Sequence, residues 1–325
     1  MRTVLVTGAG GFIGYHVARA LLDVDMNVTG IDSLNDYYDR SLKLDRLAQI
    51  AGRARFSFYR VDLADRDRVA ELFDRVRPDV VIHLAAQAGV RHSLANPHAY
   101  VDANVTGFLN VLEGCRRYRV GHLLYASSSS VYGGNTKVPF SEDDPVCDPR
   151  SLYAATKRAN ELMAQTYAHL FQIPASGLRF FTVYGPWGRP DMAYFQFTKA
   201  IMAGVPIDLY NDGHMSRDFT YIDDVVEAVI RLIDVPPAGH EIYNVGNSAP
   251  VVLSDFVAEI ENAVGREAVC RYLPMQPGDV PATYASVDKL AKAVGFSPST
   301  PLEDGIRRFV AWYKDYYRNV EGIAA

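Results

Sequence analysis

The chain contains 325 residues, of which 49% are hydrophobic and 22% are charged, a composition typical of soluble globular proteins that excludes wholesale disorder. Its 33 basic and 38 acidic side chains leave a net charge of −5, so electrostatics give no reason to expect nucleic acid or an anionic membrane as a partner. The three cysteines match neither a disulfide framework nor a zinc site, and no apolar run approaches the roughly 20 residues of a membrane span. No secretory segment opens the chain, so we expect a cytoplasmic protein. The cysteine pattern leads us to expect no metal site.

Strand and helix patterns alternate along the first part of the chain. Strands are predicted at residues 3–6, 27–32, 56–61, 80–84 and 122–126. Apolar residues at helical spacing follow the first and the third of these strands. The alternation predicts βαβ units and therefore an α/β fold with a doubly wound parallel sheet covered on both faces.

The second half of the chain is less regular and is interrupted by prolines. A strand at 241–245 and an amphipathic helix at 302–317 are the clear elements there. We expect two domains, a main-sheet domain and a smaller α/β domain. The predicted boundaries are 1–182 with 219–248 for the first, and 183–218 with 249–325 for the second.

A glycine-rich turn joins the first predicted strand to the first predicted helix. Gly8, Gly11 and Gly14 have the spacing G-x-x-G-x-x-G, and glycine permits the tight turn and close backbone approach that a pyrophosphate needs at a helix N-terminus. Asp32 stands 18 residues after Gly14, where its carboxylate can accept hydrogen bonds from ribose hydroxyls and would repel a 2′-phosphate. The pattern predicts dinucleotide binding and favours NAD over NADP; a glycine-rich loop of another α/β protein is the alternative.

Residues after the other predicted strands complete the expected cofactor site. Asp62 can face the adenine or cap the helix that follows it. Small residues after the strand at 80–84 allow a backbone to pass close to a cofactor. The residues predicted to bind the cofactor are Gly8, Gly11, Phe12, Ile13, Gly14, Asp32, Asn35, Asp62, Leu63, Leu84, Ala85, Ala86, Tyr153 and Lys157.

Tyr153 and Lys157 form a Tyr-x-x-x-Lys pattern, which places both side chains on one face of a helix, one turn apart. The phenol of a tyrosine has a pKa near 10, and lowering it by about 3 units requires about 4 kcal/mol, which a close ammonium and a cationic nicotinamide can supply. Ser128 lies at the end of a predicted strand, where it can hydrogen-bond the oxygen that Tyr153 protonates. An exposed helical pair and a serine-rich turn are the alternatives, but the order of the three features favours a catalytic site.

Taken together, the motifs resemble the NAD-dependent epimerase/dehydratase family of extended short-chain dehydrogenases/reductases, from Thr7 to about Tyr284. Within that family, residues 85–91 and 179–193 are most similar to UDP-glucuronate 4-epimerases. The resemblance implies that the main-sheet domain is an NAD-binding Rossmann domain, that the smaller domain binds a sugar nucleotide, and that two copies pair as a homodimer.

The resemblance also implies a mechanism. Tyr153 would remove the proton of the sugar 4-hydroxyl while C4 is oxidised by NAD, with Ser128 bonded to that oxygen and Lys157 holding the nicotinamide ribose. The 4-ketosugar would then turn over and be reduced on its other face without net redox. UDP-glucuronate and UDP-galacturonate would be interconverted in this way.

Substrate contacts are expected from a further group of residues. Arg217 is the predicted bidentate partner of the diphosphate, with an ion pair to Asp218 or Asp223 as the alternative, and Asp279 is expected to accept from the uridine ribose. Arg91 and Arg189 can each serve the diphosphate or a carboxylate, and Arg189 can instead brace its loop. The sequence leaves that choice open.

The hydroxyls of Ser129, Ser130 and Thr182 are suited to hold a glucuronate carboxylate out of the alignment that leads to loss of CO₂. Galactose-type epimerases usually carry Asn at the position of Thr182 and Arg at that of Gln276, so plain UDP-glucose is disfavoured. A UDP-glucuronate decarboxylase or another sugar-nucleotide 4-epimerase is the nearest alternative. A non-catalytic NAD-bound sensor is a further one, and His83 is expected to be a core histidine.

Overall fold

The computed structural model describes residues 2–275 and 282–321. The strands are β1 Thr3–Thr7, β2 Asn27–Asp32, β3 Phe56–Arg60, β4 Val80–His83, β5 His122–Ser128, β6 Ala175–Phe180, β7 Thr182–Tyr184, β8 Ile207–Tyr210, β9 Ser216–Tyr221, β10 His240–Val245, β11 Pro250–Val252, β12 Cys270–Leu273 and β13 Ala282–Thr283. The helices are α1 Phe12–Asp23, α2 Arg40–Ala51, α3 Arg66–Val76, α4 His92–Ala95, α5 Pro97–Tyr100, α6 Gly107–Tyr118, α7 Leu152–Phe171, α8 Ala193–Ala203, α9 Ile222–Ile233, α10 Leu253–Val264, α11 Asp288–Val294 and α12 Leu302–Glu321.

Seven strands form one parallel sheet in the order β10-β6-β5-β4-β1-β2-β3. The chain winds outward from β1 in one direction through β2 and β3, and in the other through β4 to β10. The predicted doubly wound parallel sheet is therefore confirmed. In such sheets ligands bind beyond the carboxyl ends of the strands where the winding reverses, which is here between β1 and β4.

Helices cover both faces of this sheet because its strands are apolar on both sides. Val4, Leu5 and Val6 in β1 are fully buried, although neighbouring side chains point to opposite faces. Helices α1 and α9 pack on one face, and α3, α6 and α7 pack on the other. In the described ranges, no helix is long and apolar enough to cross a membrane.

The remaining strands form two smaller sheets. Strand β9 pairs with β7, β11 and β13, and β8 pairs with β12. Strand β10 returns to the main sheet beside β6, as the proposed return of residues 219–248 requires. The exact domain boundaries predicted from the sequence stay a prediction.

The sequence patterns missed several elements. Strand β6 lies inside the main sheet, yet its sequence contains Ser176, Gly177 and Arg179 and so lacks an apolar run. Helix α2 buries Lys43 and Arg46, which hides its amphipathic pattern. In both elements, polar groups occupy buried positions that pattern analysis assigns to the surface.

Candidate active site

A cavity of about 1220 Å³ opens beyond the carboxyl ends of the main-sheet strands. Nearly all of the predicted site residues line it. They are Gly8, Gly11, Phe12, Ile13, Gly14, Asp32, Asn35, Asp62, Leu63, Leu84, Ala85, Ala86, Arg91, Ser128, Ser129, Ser130, Tyr153, Lys157, Thr182, Arg189 and Arg217. Two predicted positions, Gln276 and Asp279, lie outside the described residues.

The glycine turn is shaped by backbone contacts that exclude side chains. The amides of Gly8 and Ala9 donate to the carbonyl of Ile31, at 2.7 and 3.0 Å. Gly8 has a positive φ of 74°, and a Cβ on Gly14 would lie 2.0 Å from the Gly8 carbonyl oxygen. Helix α1 begins immediately after Gly11 without a side-chain cap, so its N-terminal amides face the cavity as a pyrophosphate site requires.

The carboxylate of Asp32 lies at the end of β2, beside the glycine turn. It accepts hydrogen bonds from the amides of Gly10 at 3.1 Å and Leu34 at 2.8 Å. Nearby, the ammonium of Lys43 donates to the backbone and side-chain oxygens of Asn35. Asp62 accepts from the amide of Ala64, so it caps the turn before α3 while lining the cavity. The glycine cradle and the fixed Asp32 carboxylate fit a dinucleotide.

Tyr153, Ser128 and Lys157 line the same cavity, with a side-chain hydrogen bond between Tyr153 and Ser128. Helix α7 carries Tyr153 and Lys157 one turn apart, with Ser151 as its N-cap, accepting from the amide of Ala154. The Lys157 ammonium donates to the Ala126 carbonyl at 2.9 Å. The predicted convergence of strand-end serine, tyrosine and lysine is therefore present in the structure.

Burial shifts the pKa values of Tyr153 and Lys157. It raises the pKa of Tyr153, while a hydrogen bond with Ser128 and the positive charge of Arg189 act in the opposite direction. The sequence argument expected the Tyr153 pKa to be lowered. Burial also lowers the pKa of Lys157 to about 8. Both shifts have one cause, since a low-dielectric site disfavours the charged form of each group.

A buried polar network supports the strand that carries Ser128. The adjacent Ser127 hydroxyl donates to Glu161 at 2.6 Å, and Arg179 donates to both oxygens of Glu161 at 2.9 and 3.0 Å. Arg179 also reaches the hydroxyl of Tyr132, which donates in turn to Asn244. This network joins β5, β6, α7 and β10, and the sequence analysis did not find it.

A π-helical turn at Val101–Thr106 separates α5 from α6. It directs Asn104 inward, where the side-chain amide bonds Gln87 at the cavity wall and the hydroxyl of Thr156 on α7. Such single turns often occur at functional sites. Here the turn fixes the loop after β4 against the helix that carries Tyr153.

Hydroxyl groups and arginines also line the cavity, and we call this set, Ser129, Ser130, Thr182, Arg189 and Arg217, the substrate wall. Thr182 begins β7, and Ser129 and Ser130 form the 3₁₀ turn that follows Ser128. Arg217 lies on β9 and also lines the cavity. Short neutral donors and a cation therefore share this wall.

Arg189 occupies a particular place on that wall. Its guanidinium pairs with Asp191, whose carboxylate also accepts from the Tyr37 hydroxyl at 3.1 Å. The charge of Arg189 is close enough to lower the pKa of Tyr153. The structure thus supports both expectations for Arg189, a bracing contact within its loop and a charge at the site. Tyr37 also lines the cavity.

Two further residues were given alternative roles. Arg91 is exposed at the cavity rim, with its guanidinium carbon 5.4 Å from the centre of the Tyr210 ring. His83 is buried and bonds Thr7 at 2.9 Å, and burial lowers its pKa to about 3. The prediction of a core histidine is confirmed.

The main sheet, its glycine turn, and the Tyr-x-x-x-Lys pair beside a strand-end serine define a Rossmann-type α/β protein of the short-chain dehydrogenase/reductase class. The chain belongs to the NAD dependent epimerase/dehydratase family, whose model matches residues 4–246.

Several proteins are similar over nearly the full chain. A probable UDP-glucuronate 4-epimerase of Rhizobium meliloti is 50% identical and covers 97% of both chains. UDP-glucuronate 4-epimerase 4 of Arabidopsis thaliana is 45% identical over 99% of this chain and 78% of its own. The crystal structure of a UDP-glucuronic acid 4-epimerase from Bacillus cereus, in complex with UDP-glucuronic acid and NAD, superposes with a TM-score of 0.91 at 34% identity, covering 97% of this chain and 100% of that one.

Proposed function

We propose that this protein interconverts UDP-glucuronate and UDP-galacturonate by transient oxidation at C4, with tightly bound NAD and no net redox. One observation carries the proposal: a single cavity is lined by Tyr153, Lys157 and Ser128 together with a dinucleotide cradle and a set of hydroxyls and arginines. The relatives named UDP-glucuronate 4-epimerases, which match almost the whole chain, support the same substrate.

The dinucleotide would lie across the glycine turn and the end of β2. The α1 amides after Gly11 are suited to its pyrophosphate, and the Asp32 carboxylate to its adenosine ribose. Asn35, Asp62 and Leu63 would border the adenosine half. Leu84, Ala85 and Ala86 would border the remainder. When bound, NAD takes up the C4 hydrogen of the sugar as hydride and later returns it.

The side chains of this protein would move and hold the proton. Tyr153 takes the proton of the 4-hydroxyl and returns it in the second half of the reaction, and Ser128 hydrogen-bonds the same oxygen. Burial opposes a phenolate at Tyr153, so the positive charges of Lys157 and Arg189 and the cationic cofactor must stabilise it. Lys157 also holds the nicotinamide ribose.

The substrate wall would discriminate between sugars by the group on C5. Ser129, Ser130 and Thr182 donate to the carboxylate and keep it out of the alignment that releases CO₂. A 4-keto sugar with this carboxylate is a β-keto acid, so that restraint separates epimerisation from decarboxylation. Arg217 anchors the diphosphate while the ketosugar turns, and Arg91 and Arg189 add positive charge nearby.

The direct test incubates the purified protein, without added cofactor, with UDP-glucuronate and, separately, with UDP-glucose. UDP-galacturonate should form, and UDP-glucose should react poorly because donors arranged for a carboxylate are left unpaired, at a cost of about 1–3 kcal/mol per group. Turnover of UDP-glucose equal to that of UDP-glucuronate would contradict the proposal that the site recognises a carboxylate on C5. UDP-xylose as the main product would identify a decarboxylase.

Thr182→Val tests the restraint on the carboxylate. The variant should turn over UDP-glucuronate several-fold more slowly and release some UDP-pentose, since a freed carboxylate can rotate into line for CO₂ loss, whereas the loss of one neutral hydrogen bond costs about 1 kcal/mol. Thr136→Val is the matched control, because Thr136 is an exposed loop residue that lies outside the cavity lining and outside α6 and α7. Equal pentose release from both variants would remove Thr182 from this role.

We also propose a homodimer that pairs α6 and α7 with the same helices of a second copy. Leu109 on α6 and Leu162 on α7 are 40% and 48% exposed, so an apolar surface spans both helices. Sedimentation equilibrium should give twice the chain mass, and a monomer at micromolar concentration would contradict this proposal.

A cytoplasmic location is proposed as well. Cys115, Cys147 and Cys270 are free thiols, and Cys147 is exposed, which suits a reducing compartment. Cell fractionation checks this assignment.

A further inference from the structure

Arg46 lies on α2, outside every motif in the sequence, and its side chain is fully buried. Its guanidinium donates five hydrogen bonds, and every acceptor is neutral. They are the carbonyl of Trp187 at 3.0 and 2.7 Å, the carbonyls of Gly188 and Gly10 at 3.0 Å each, and the hydroxyl of Tyr38 at 2.7 Å. A buried cation is costly unless strong hydrogen bonds offset its desolvation. Such an arrangement points to a role beyond filling space.

Two of the three carbonyls that Arg46 binds, those of Trp187 and Gly188, belong to one short loop, residues 186–188. The preceding carbonyl, that of Pro186, accepts from Nε2 of His16 on α1 at 2.9 Å. Burial lowers the pKa of His16 to about 3, so the ring is neutral and carries its hydrogen on Nε2. Side chains of α1 and α2 therefore bind three successive carbonyls of this loop, whose Trp187 has an unfavourable φ of 63°.

The loop leads directly into Arg189 at the cavity wall. The Arg46 guanidinium bridges the Gly10 carbonyl of the cofactor turn and the carbonyls of Trp187 and Gly188, donating to each of them. Arg189 follows Gly188 and presents its charge towards Tyr153. Hydrogen bonds of Arg46 thus join the glycine turn to the loop that leads into Arg189, whose positive charge acts on the pKa of Tyr153.

We infer that Arg46 is a positioning residue that sets the place of Arg189 from the cofactor-binding turn and so couples the two halves of the active site. The inference rests on the proposed function where activity is measured. It assigns no contact between Arg46 and substrate or cofactor. His16 would support the same loop from the other side.

The main variant is Arg46→Lys, which keeps the charge but cannot reach several carbonyls at once. Arg40→Lys is the matched control, because Arg40 is an exposed residue at the start of the same helix. We expect Arg46→Lys to raise KM for UDP-glucuronate and lower kcat, each by about tenfold, because a small misplacement of a positioning group has effects of that size or larger. The control should match the wild type.

The pH profile separates this role from general damage. The groups facing Tyr153 are Ser128 from β5, Lys157 on its own helix, Tyr100 from α5, and Arg189, which Asp191 and Tyr37 hold in turn. Of these, Arg189 is the group that directly follows the loop bound by Arg46. Arg46→Lys should therefore move the acid limb of the kcat profile to higher pH, in the same direction as Arg189→Gln. An unchanged profile in a folded variant would overturn the inference.

A double-mutant cycle tests whether Arg46 acts through Arg189. If Arg46 acts through Arg189, adding Arg46→Lys to Arg189→Gln should cost less than about threefold in kcat/KM, because the two changes remove the same interaction. If the losses in kcat/KM of the two single variants multiply in the double variant, Arg46 does not act through Arg189. Where Arg46→Lys fails to fold, His16→Leu takes its place, since it removes the Pro186 contact while keeping an apolar side chain. Its effects should have the same direction and smaller size, and wild-type kinetics would overturn the inference.

One readout does not depend on turnover. Both tryptophans of the chain, Trp187 and Trp312, lie in one cluster with ring centres 5.3 Å apart, so tryptophan fluorescence reports the loop. NAD added to protein stripped of dinucleotide should change the emission of the wild type and of Arg40→Lys, and Arg46→Lys should reduce that change. If the wild type does not epimerise UDP-glucuronate, the proposed function fails, while this response still tests the coupling. An equal response in all three proteins would overturn it.

Discussion

The two walls of the active-site cavity are built in different ways. The cofactor wall is a short stretch of backbone, in which glycines allow the carbonyl of Gly8 and the start of α1 to approach closely. The substrate wall includes side chains that meet from distant segments, such as the Arg189–Asp191 pair and Tyr37. One wall is specified by a local motif and the other by tertiary contacts.

This difference determines which substitutions disrupt each wall. A backbone cradle fails when a side chain intrudes, because its neighbours are main-chain atoms that cannot move aside. A side-chain wall fails when a distant partner is lost, because its charges then lack both orientation and compensation. The catalytic tyrosine lies between them, so variants on each side and at the centre distinguish the two kinds of construction.

The largest effect is expected at the centre. Tyr153→Phe removes the proton acceptor without changing either wall, so turnover of UDP-glucuronate should fall by about 10²–10⁴-fold. The fold and the bound dinucleotide should be retained, which circular dichroism and release of nucleotide on denaturation check. Retention of more than about a tenth of the rate would show that another group is the base.

The next largest effect is expected in the buried network of Ser127, Glu161 and Arg179, which supports the strand that carries Ser128. Arg179→Met leaves the buried Glu161 carboxylate without its bidentate partner, and breaking a buried pair costs about 3–5 kcal/mol in the free energy of unfolding. Arg231→Met is the control, since its pair with Glu227 lies at the surface and is worth about 1 kcal/mol or less. Urea unfolding of both variants checks the contrast, and equal losses would argue against a supporting role for the buried pair.

The cofactor wall should respond to a single methyl group. A Cβ at Gly14 would lie 2.0 Å from the Gly8 carbonyl oxygen, so Gly14→Ala must distort the turn. We expect a loss of about 1–3 kcal/mol in stability and much less dinucleotide in the purified protein. Gly52→Ala is the control, because no atom lies within 4 Å of its added Cβ. Full dinucleotide content in Gly14→Ala would contradict the proposal that the glycine turn binds the dinucleotide.

The smallest effect concerns pH. Burial lowers the pKa of Lys157 to about 8, below the ordinary value of 10.5 that applies in the unfolded chain. Between these values the unfolded chain binds more protons at this group, so its contribution to stability increases with pH. The unfolding free energy of the wild type, relative to Lys157→Met, should therefore rise from pH 8 to about 9.5, before tyrosines titrate.

The control for that measurement is Lys199→Met, which removes an exposed lysine on α8. A wild-type advantage over Lys157→Met that falls with pH would contradict the burial of a charged Lys157. Stripped protein should be used so that dinucleotide binding does not contribute to stability.

The sequence predicted the parts of the fold that follow a regular local pattern. The strands at 3–6, 27–32 and 80–84 correspond to β1, β2 and β4, because short apolar runs between turns identify buried strands. Strand β6 escaped this reasoning because Arg179 lies buried within it. A charged residue at a core position is explained only by its partner, which here is Glu161 on another element.

The sequence by itself determined the cofactor turn and the spacing of Tyr153 and Lys157, because both depend on residues a few positions apart in one strand–turn–helix or one helical turn. Only the tertiary structure decided what holds the loop before Arg189, since Arg46 and the Trp187 carbonyl that it binds are 141 positions apart. It also decided the protonation of Tyr153 and Lys157, because desolvation depends on everything that surrounds a group. Local spacing can be read along the chain, whereas burial and long-range partners exist only once the chain has folded.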